Sequence, residues 1–318
     1  MPIVTILLPN YNNGPYLREC LDSVVNQTFQ DYKLLMVDDG STDNSVEIFK
    51  SYQNDKFVLI EKEMNSGIVD SLNVGLDHLD TKYMIRLDGD DYMTEDRLEI
   101  LVNFMENHPE YDVCGSGLQM FGEHEQTVRF EKDWVKNNAN MIFNHSVGHA
   151  TLIFRSHLFT EKGYRYSNDF KYMEDYHLLL DMMEDAKYTT LDEILYFYRQ
   201  TEAHLPMKVP EERKPIYISF YKMLLAKFNS GLEKNAELHF QLAKETPVTY
   251  KYSEFKDHCQ RIMNANSATQ LFPQDQLTEK LGKALDRIRF RLIDQGQLGL
   301  KHALAKPKLF KYYLRSKF

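Results

Sequence analysis

Three aspartates fall within four residues, Asp88, Asp90 and Asp91, in the stretch RLDGDD. Such a cluster is unfavourable by itself, since a like-charged pair at about 4 Å costs ~1 kcal/mol in water and ~4 kcal/mol at an effective dielectric of about 20. A divalent cation would offset the repulsion. Hard carboxylate oxygens suit Mg2+ or Mn2+, which keep several waters and bridge to the phosphates of a substrate. The plainer alternative is a solvated turn whose aspartates cap a helical stretch from Glu95 to Met105. A second acidic pair, Glu174-Asp175 in KYMEDYHLL, has the chemistry of a general base, a carboxylate able to take a proton from a hydroxyl. It equally suits the first turn of a helix, where negative charge meets the positive end of the dipole.

The elements that must position these groups are legible as short apolar runs at Ile3–Leu8, Leu34–Val37, Phe57–Ile60 and Tyr83–Leu87. Each is bounded by polar or turn residues, as buried parallel strands are. Between them Leu17, Cys20, Leu21, Val24 and Val25 recur at helical spacing, as do Val69, Leu72, Leu76 and Leu79. Pro9-Asn10 ends the first strand, and Asp39-Gly40-Ser41-Thr42 ends the second with turn and N-cap chemistry. The alternation predicts βαβ units with right-handed crossovers, hence a doubly wound α/β domain. Ligands of such sheets bind outside the carboxyl ends of the strands. Those ends carry Pro9-Asn10-Tyr11-Asn12, Asp38-Asp39-Gly40, Asn65-Ser66-Gly67 and Asp88-Gly89-Asp90-Asp91, and this company favours a metal at the acidic turn. No G-x-G-x-x-G follows the first strand and no Walker A loop occurs, which argues against dehydrogenases and P-loop NTPases.

Residues 110–200 mix short strands with an acidic helix near Glu174–Glu184. From about Pro206 helical signals dominate: Ile216, Phe220 and Leu224, then Leu277, Leu281, Leu285, Ile288 and Leu292. A domain of residues 1–205 is therefore expected before a helical region of residues 206–318. With 318 residues, 43% apolar and 27% charged, the chain can bury a large core. No stretch nears the ~20 apolar residues of a spanning helix, and MPIVTILLPN reads as a first strand, not a signal peptide. Cys20, Cys114 and Cys259 suggest neither a disulfide framework nor a zinc cluster, so a cytoplasmic protein is expected. The net charge of -9 is uneven, because residues 287–318 hold nine Lys/Arg against Asp294, a net +8 that leaves -17 on the rest. An acidic body argues against nucleic-acid binding. The basic segment, interleaved with Leu, Phe and Tyr, reads as a peripheral contact with anionic lipid worth about 1 kcal/mol per basic residue, or as a helix face docked on the acidic body.

In order, VTILLPNYNN, VDDGSTDNS, NSGIVDSLNVGL and RLDGDDYMTEDRLE resemble the family 2 glycosyltransferases of GT-A fold, which use nucleotide-sugar donors and invert the anomeric centre. The resemblance covers about residues 1–200. It implies a Rossmann-like mixed sheet flanked by helices, followed by a helical C-terminal region. It further implies that Pro9, Tyr11 and Asp39 hold the nucleobase, Tyr11 by stacking and Asp39 by accepting from a uracil N–H. Asn10 and Asn12 would shape the loop and Asp38 orient the turn. Asn65, Gly67 and Asn73 would border the diphosphate and donor sugar. Many members have an Arg before that second Asn; here it is Leu72, and Arg86 either compensates or pairs with a nearby carboxylate. Asp88 is implied for the ribose and metal shell, Asp90 for direct ligation of Mn2+ or Mg2+, and Asp91 for a supporting or capping place.

The same resemblance makes Asp175 the base, with Glu174 positioning it or touching the acceptor. His145 and His149, in NHSVGHATLIFRSHLF, match a segment under the acceptor site, so His149 is either an acceptor-pocket residue or a satisfied structural histidine. Tyr198, Arg199 and His204 stand where members carry a Tyr-Arg-x-His-like ending that reaches the diphosphate or metal, with His204 spaced more loosely. Trp134 could stack on a sugar, though a lone Trp more often packs in a core. The implied reaction moves a hexose or N-acetylhexosamine from a nucleotide sugar, UDP-linked, to a hydroxyl of a glycan or lipid-linked acceptor in surface polysaccharide biosynthesis. Relatives that build on lipid carriers favour the membrane reading of the basic segment, and the helical region could equally mediate a homodimer. The rivals are a sugar nucleotidyltransferase, whose Gly-rich basic loop PNYNNGPYL lacks, and a non-catalytic nucleotide-sugar or glycan-binding module.

Overall fold

The structure is a computed structural model that describes residues 2–52, 54–145, 147–201, 210–244 and 246–298. The chain divides into two compact units, Met1–Asn137 with His145–Leu205, and Asn138–Asn144 with Pro206–Phe318.

The first unit begins β1 (Val4–Asn10), α1 (Gly14–Val25), β2 (Tyr32–Asp38), α2 (Ser45–Ser51), β3 (Phe57–Glu61), α3 (Ile68–Asp77) and β4 (Tyr83–Arg86). It continues β5 (Tyr92–Met93), α4 (Arg97–Asn107), β6 (Val113–Gly122), β7 (Gln126–Val128), α5 (Trp134–Asn140, of which residues 138–140 belong to the second unit), β8 (Ile153–Arg155), α6 (His157–Thr160), α7 (Glu174–Met182) and β9 (Tyr188–Gln200). Among the described residues the strands make one sheet in the order β3-β2-β1-β4-β8-β6-β9-β5, with β7 beside β6. β1 lies parallel to β2 and β4, and β2 parallel to β3. β8 runs antiparallel to β4 and β6, so the sheet is mixed.

All of β1 is buried. Val4, Ile6 and Leu8 join one core with Leu17, Leu21 and Val24 of α1 and Leu98, Leu101 and Met105 of α4. The opposite face meets α3, whose Val69, Leu72 and Leu76 are buried. A strand covered on both sides reads as a continuous apolar run, which is why the stretch shows no alternation. Two expectations change. Ser41 donates from its backbone N (2.9 Å) and its Oγ (2.6 Å) to Asp38, so 39–42 is a turn, but α2 starts only at Ser45 and these residues do not cap it. β9 is a 13-residue strand, not one of several short ones, because it pairs along β6 with a register shift near Gly115–Gly117 that absorbs its polar interruption. Trp134 packs edge-on against Tyr188 at 4.5 Å.

The second unit contains α8 (Lys214–Ala226), α9 (Ala236–Ala243), α10 (Tyr252–Thr269) and α11 (Gln274–Asp294). α11 buries Leu277, Leu281, Ile288 and Leu292 of the expected stripe, while Ala284 is buried and Leu285 only half-buried. The 138–144 segment is held by Tyr221 Oη, which donates to the Phe143 carbonyl (2.8 Å), and by His239 Nε2 on the Ile142 carbonyl (2.8 Å). Part of the basic segment belongs to this packing: Arg289 donates to Tyr252 Oη (2.7 Å), and Arg291 to the carbonyls of Gln241 (2.9 Å) and Lys244 (3.1 Å). These two arginines are therefore not a lipid-facing surface. Lys301, Lys306, Lys308, Lys311, Arg315 and Lys317 lie outside the described residues, as does His204. No described helix is long and apolar enough to cross a membrane.

Candidate active site

Parallel strands end together, and here they end on polar loops. In register Asn10 stands beside Asp38, and Leu7 beside Arg86. At this edge lies a cavity of about 380 Å³ lined by Pro9, Tyr11, Asp39, Asn65, Gly67, Arg86, Asp88 and Asp90, together with Asn10, Ile68, Ser71, Gly89 and Tyr198. Eight of the expected donor-site residues thus share one cavity. Tyr11 is 45% exposed. Its loop is shaped by Asn12, whose Oδ1 accepts from the Thr42 backbone N (2.8 Å), and by Asn10, which donates to Asp38 Oδ1 (2.8 Å).

Asp39 sits at one end, only 3% exposed. Burial pushes its carboxyl up, but Lys62 and the backbone N–H groups of Ser66 and Gly67 outweigh that and hold it below the usual carboxylate range. The next residue, Gly40, has φ +71°, and a Cβ there would stand 2.9 Å from the Met64 backbone, so only glycine brings the two loops this close.

The acidic turn occupies the other end. Arg86 Nε donates to Asp88 Oδ1 (2.7 Å), and Arg86 Nη1 donates to His149 Nδ1 (2.9 Å). A guanidinium only donates, so Nδ1 is the acceptor and Nε2 carries the proton toward Tyr166 Oη (3.0 Å). Burial and the Arg86 charge keep the ring neutral, pulling its pKa down to about 3. Asp91 is buried, accepting from Tyr196 Oη (2.7 Å) and the Arg199 backbone N (2.7 Å). Burial, with Asp88 and Asp90 alongside, raises its carboxyl. Arg199 Nε donates to the Asp90 carbonyl (2.8 Å) while its guanidinium lies 4.5 Å from the rings of both Tyr16 and Phe121. Fully buried Arg97 lies 4.9 Å over the Tyr196 ring and donates to the Ala150 carbonyl (2.8 Å). Protein cations therefore supply part of the compensation that the sequence assigned to a metal. Gly89 lets the turn close: a Cβ would meet Asn13 Nδ2 at 2.8 Å and Asn10 Oδ1 at 2.9 Å.

Among the described residues no group of three or more His, Cys, Asp or Glu is arranged to hold a metal. Asp88 and Asp90 on the cavity wall nonetheless fit Mg2+ or Mn2+, ions commonly held by one or two carboxylates plus substrate phosphates rather than by an all-protein cage. Two of the expected residues lie off this cavity. His149 is only 6% exposed, and its ring braces Arg86 against Tyr166, which fits the structural of its two readings. Asn73 does not line it either, because its amide is taken by the Tyr166 backbone, donating to O (2.9 Å) and accepting from N (3.0 Å).

Glu174 and Asp175 open α7 and do not line this cavity. Asp175 Oδ1 accepts from the Tyr176 backbone N (2.7 Å), and its Oδ2 lies 3.2 Å from His145 Nε2. His145 Nδ1 faces the Val147 carbonyl (2.7 Å). Burial raises the Asp175 carboxyl, but His145 overcomes this and sets it well below the usual range. Glu174 moves the other way: burial and Asp175 raise it, and its Oε2 is buried without a partner. Sequence reasoning missed the pairing of His145, for no spacing rule links residues thirty apart across different elements. It also missed Lys62 and Arg97. The latter had a readable signal, since Arg97 stands four residues before Leu101 on the buried stripe of α4.

Known proteins share this sequence pattern and this fold. The profile described as "Glycosyl transferase family 2" matches residues 5–162. EpsE of Bacillus subtilis (strain 168), which carries a glycosyltransferase name, is 32% identical over 204 residues, spanning 63% of this chain and 73% of that protein. An uncharacterized glycosyltransferase of Haemophilus influenzae is 26% identical over 211 residues, a match that takes in 65% of its length, just under two thirds. The crystal structure of S. aureus TarS 1-349 in complex with UDP-GlcNAc superposes with a TM-score of 0.65 over 93% of each chain at 18% identity, a likeness of fold. The mixed sheet with its helical C-terminal region is thus the GT-A architecture, and the chain belongs to glycosyl transferase family 2.

Proposed function

We propose that this glycosyltransferase is metal-dependent and inverting, moving a hexose or N-acetylhexosamine from a UDP-linked donor to a hydroxyl of a glycan or lipid-linked acceptor. One observation carries the reading: a single cavity is lined by Tyr11 and Asp39 and by Asp88 and Asp90, and the strands that lead to Asp39 and Asp88 flank β1 on opposite sides. That separation matches a base at one end and a diphosphate at the other. The complexes of TarS with UDP-GlcNAc and of the Pyrobaculum calidifontis mannosyltransferase with GDP-Man and Mn2+ support it as analogies.

In this reading Tyr11 stacks on the base, Asp39 accepts its N–H, and Asn65 and Gly67 border the diphosphate. Asp88 and Asp90 would hold Mn2+ or Mg2+, which when bound would supply Lewis-acid stabilisation of the departing diphosphate. Arg86 fixes the Asp88 carboxylate, and His149 braces Arg86. Asp175 takes the proton of the acceptor hydroxyl. The hydroxyl oxygen bonds to the anomeric carbon as the bond to the diphosphate oxygen breaks, the electron pair leaving on the diphosphate. A single displacement inverts that carbon. Residues 1–205 carry this chemistry, and the basic residues from Lys301 to Lys317 hold the enzyme at the cytoplasmic face of a membrane.

The test is nucleotide-sugar binding and turnover across a donor panel with Mn2+, Mg2+ or EDTA. Metal-dependent turnover of one UDP-sugar, lost in Asp90→Ala, is expected. If no nucleotide sugar binds in a metal-dependent way, the acidic turn is a capping structure and the reading fails.

A further inference from the structure

The carboxylate at the base end has very little left to offer. An ionised carboxylate has about four lone-pair positions, two on each oxygen. Asp39 Oδ1 accepts from Lys62 Nζ at 2.5 Å and from the Ser66 backbone N at 3.0 Å, with Ser66 Oγ a further 3.3 Å away. Its Oδ2 accepts from the Gly67 backbone N at 2.8 Å. Lys62 does not roam: its ammonium is also tied to Asp70 Oδ2 at 2.6 Å and to the hydroxyl of Ser66, and it reaches Ser71 Oγ at 3.3 Å. Both positions on Oδ1 are filled and one on Oδ2 remains. The side chain is 4% exposed, so no rotation in solvent relieves this count.

We infer that Lys62 determines nucleobase selectivity: by saturating Oδ1 of Asp39 it leaves one acceptor, which admits the single N–H of an imide base and excludes the two-donor edge of guanine. This deepens the donor-site reading and rests on it. Asp39 is already neutralised by Lys62, whereas Asp88 and Asp90 can take the cation that a diphosphate needs, so the part of the cavity that holds Asp39 and the exposed Tyr11 is the base end. Uracil and thymine present one N–H between two carbonyls. Guanine presents N1–H beside an amino group, and a carboxylate meets that edge with both oxygens at once, as it meets a guanidinium. With Oδ1 occupied, one guanine donor would be buried unpaired, a loss large enough to discriminate. The signal was not visible in the sequence, where Lys62 is an ordinary charge in EKEMNSG.

The experiment is calorimetric titration of UDP, dTDP and GDP with Mn2+ into the full chain, as wild type, Lys62→Met and Lys62→Arg, with melting curves for each. The wild type should bind UDP and dTDP alike and about ten-fold or more tighter than GDP, the size of effect an unmet buried hydrogen bond gives. Lys62→Met opens Oδ1 and should bring the UDP:GDP ratio to about three-fold or less. Lys62→Arg restores a donor and should keep the wild-type ratio, which separates selectivity from loss of fold. A UDP preference that survives in a folded Lys62→Met overturns the inference and leaves the donor site standing. Binding of none of the three nucleotides by the wild type overturns both.

Discussion

At the scale of single residues, the two carboxylates that open α7 sit in environments that push them apart. Asp175 is held low by His145, while Glu174 beside it is raised by burial. Divergent neighbours of this kind are a common sign of separate roles. If Asp175 is the base, Asp175→Asn should reduce transfer kcat by about 10²–10⁴-fold, the usual worth of a general base, while UDP binding stays unchanged. Steady-state transfer beside calorimetric UDP binding checks this, and a variant that loses both would mark Asp175 as structural. The types of Pro9, Tyr11, Asp39, Asp88 and Asp90 were readable in the chain because each follows a recognisable strand end. His149 and Asn73 lie off the cavity because their polarity is spent inside the fold, on Arg86 and on the Tyr166 backbone, which no local pattern records.

At the scale of elements, buried pairs decide behaviour that the sequence pattern does not show. In the second unit His239 and His258 meet across α9 and α10 with ring nitrogens 3.0 Å apart, and His239 also holds the Ile142 carbonyl. Burial lowers their pKa values to about 4 and about 2, with His239 adding to the shift of His258. An unfolded histidine titrates near about 6.5, so between there and about 4 the unfolded chain binds more protons than the folded one. Their contribution is therefore full above about pH 6.5 and falls as pH drops, by up to about 1.4 kcal/mol per pH unit for each ring. Hydrogen exchange of α9 and α10 amides from pH 7.5 to 5, corrected for intrinsic rates, should show this loss of protection, and His258→Gln should flatten it. The strands themselves were legible, since β1 to β4 are short, apolar and bounded by turns. β9 was not, because its Asp192-Glu193 interruption looks like a loop until β6 supplies the shifted register.

At the scale of the whole molecule, charge is divided between an acidic body and a basic end. Arg289 and Arg291 are taken up in helix packing, which leaves the exposed Arg287 and the basic residues from Lys301 onward to carry any attraction to lipid. Each such residue near an anionic surface contributes about 1 kcal/mol. Removal of residues 299–318 should therefore abolish co-sedimentation with phosphatidylserine vesicles at low salt and leave binding of UDP unaffected. Equal sedimentation of the shortened and full chains would assign that segment another role.

The sequence alone determined the fold class, the order of the strand-end loops and the residue types along the strand-end cavity. It could do so because burial on both sheet faces, turn chemistry and helical periodicity are local properties that leave their mark within a few residues. Only the tertiary structure decided which polar side chains remain available for chemistry. A hydrogen bond from Lys62 to Asp39, from Arg86 to His149 or between His145 and Asp175 joins residues far apart in the chain, and no local pattern records which lone pairs such bonds consume.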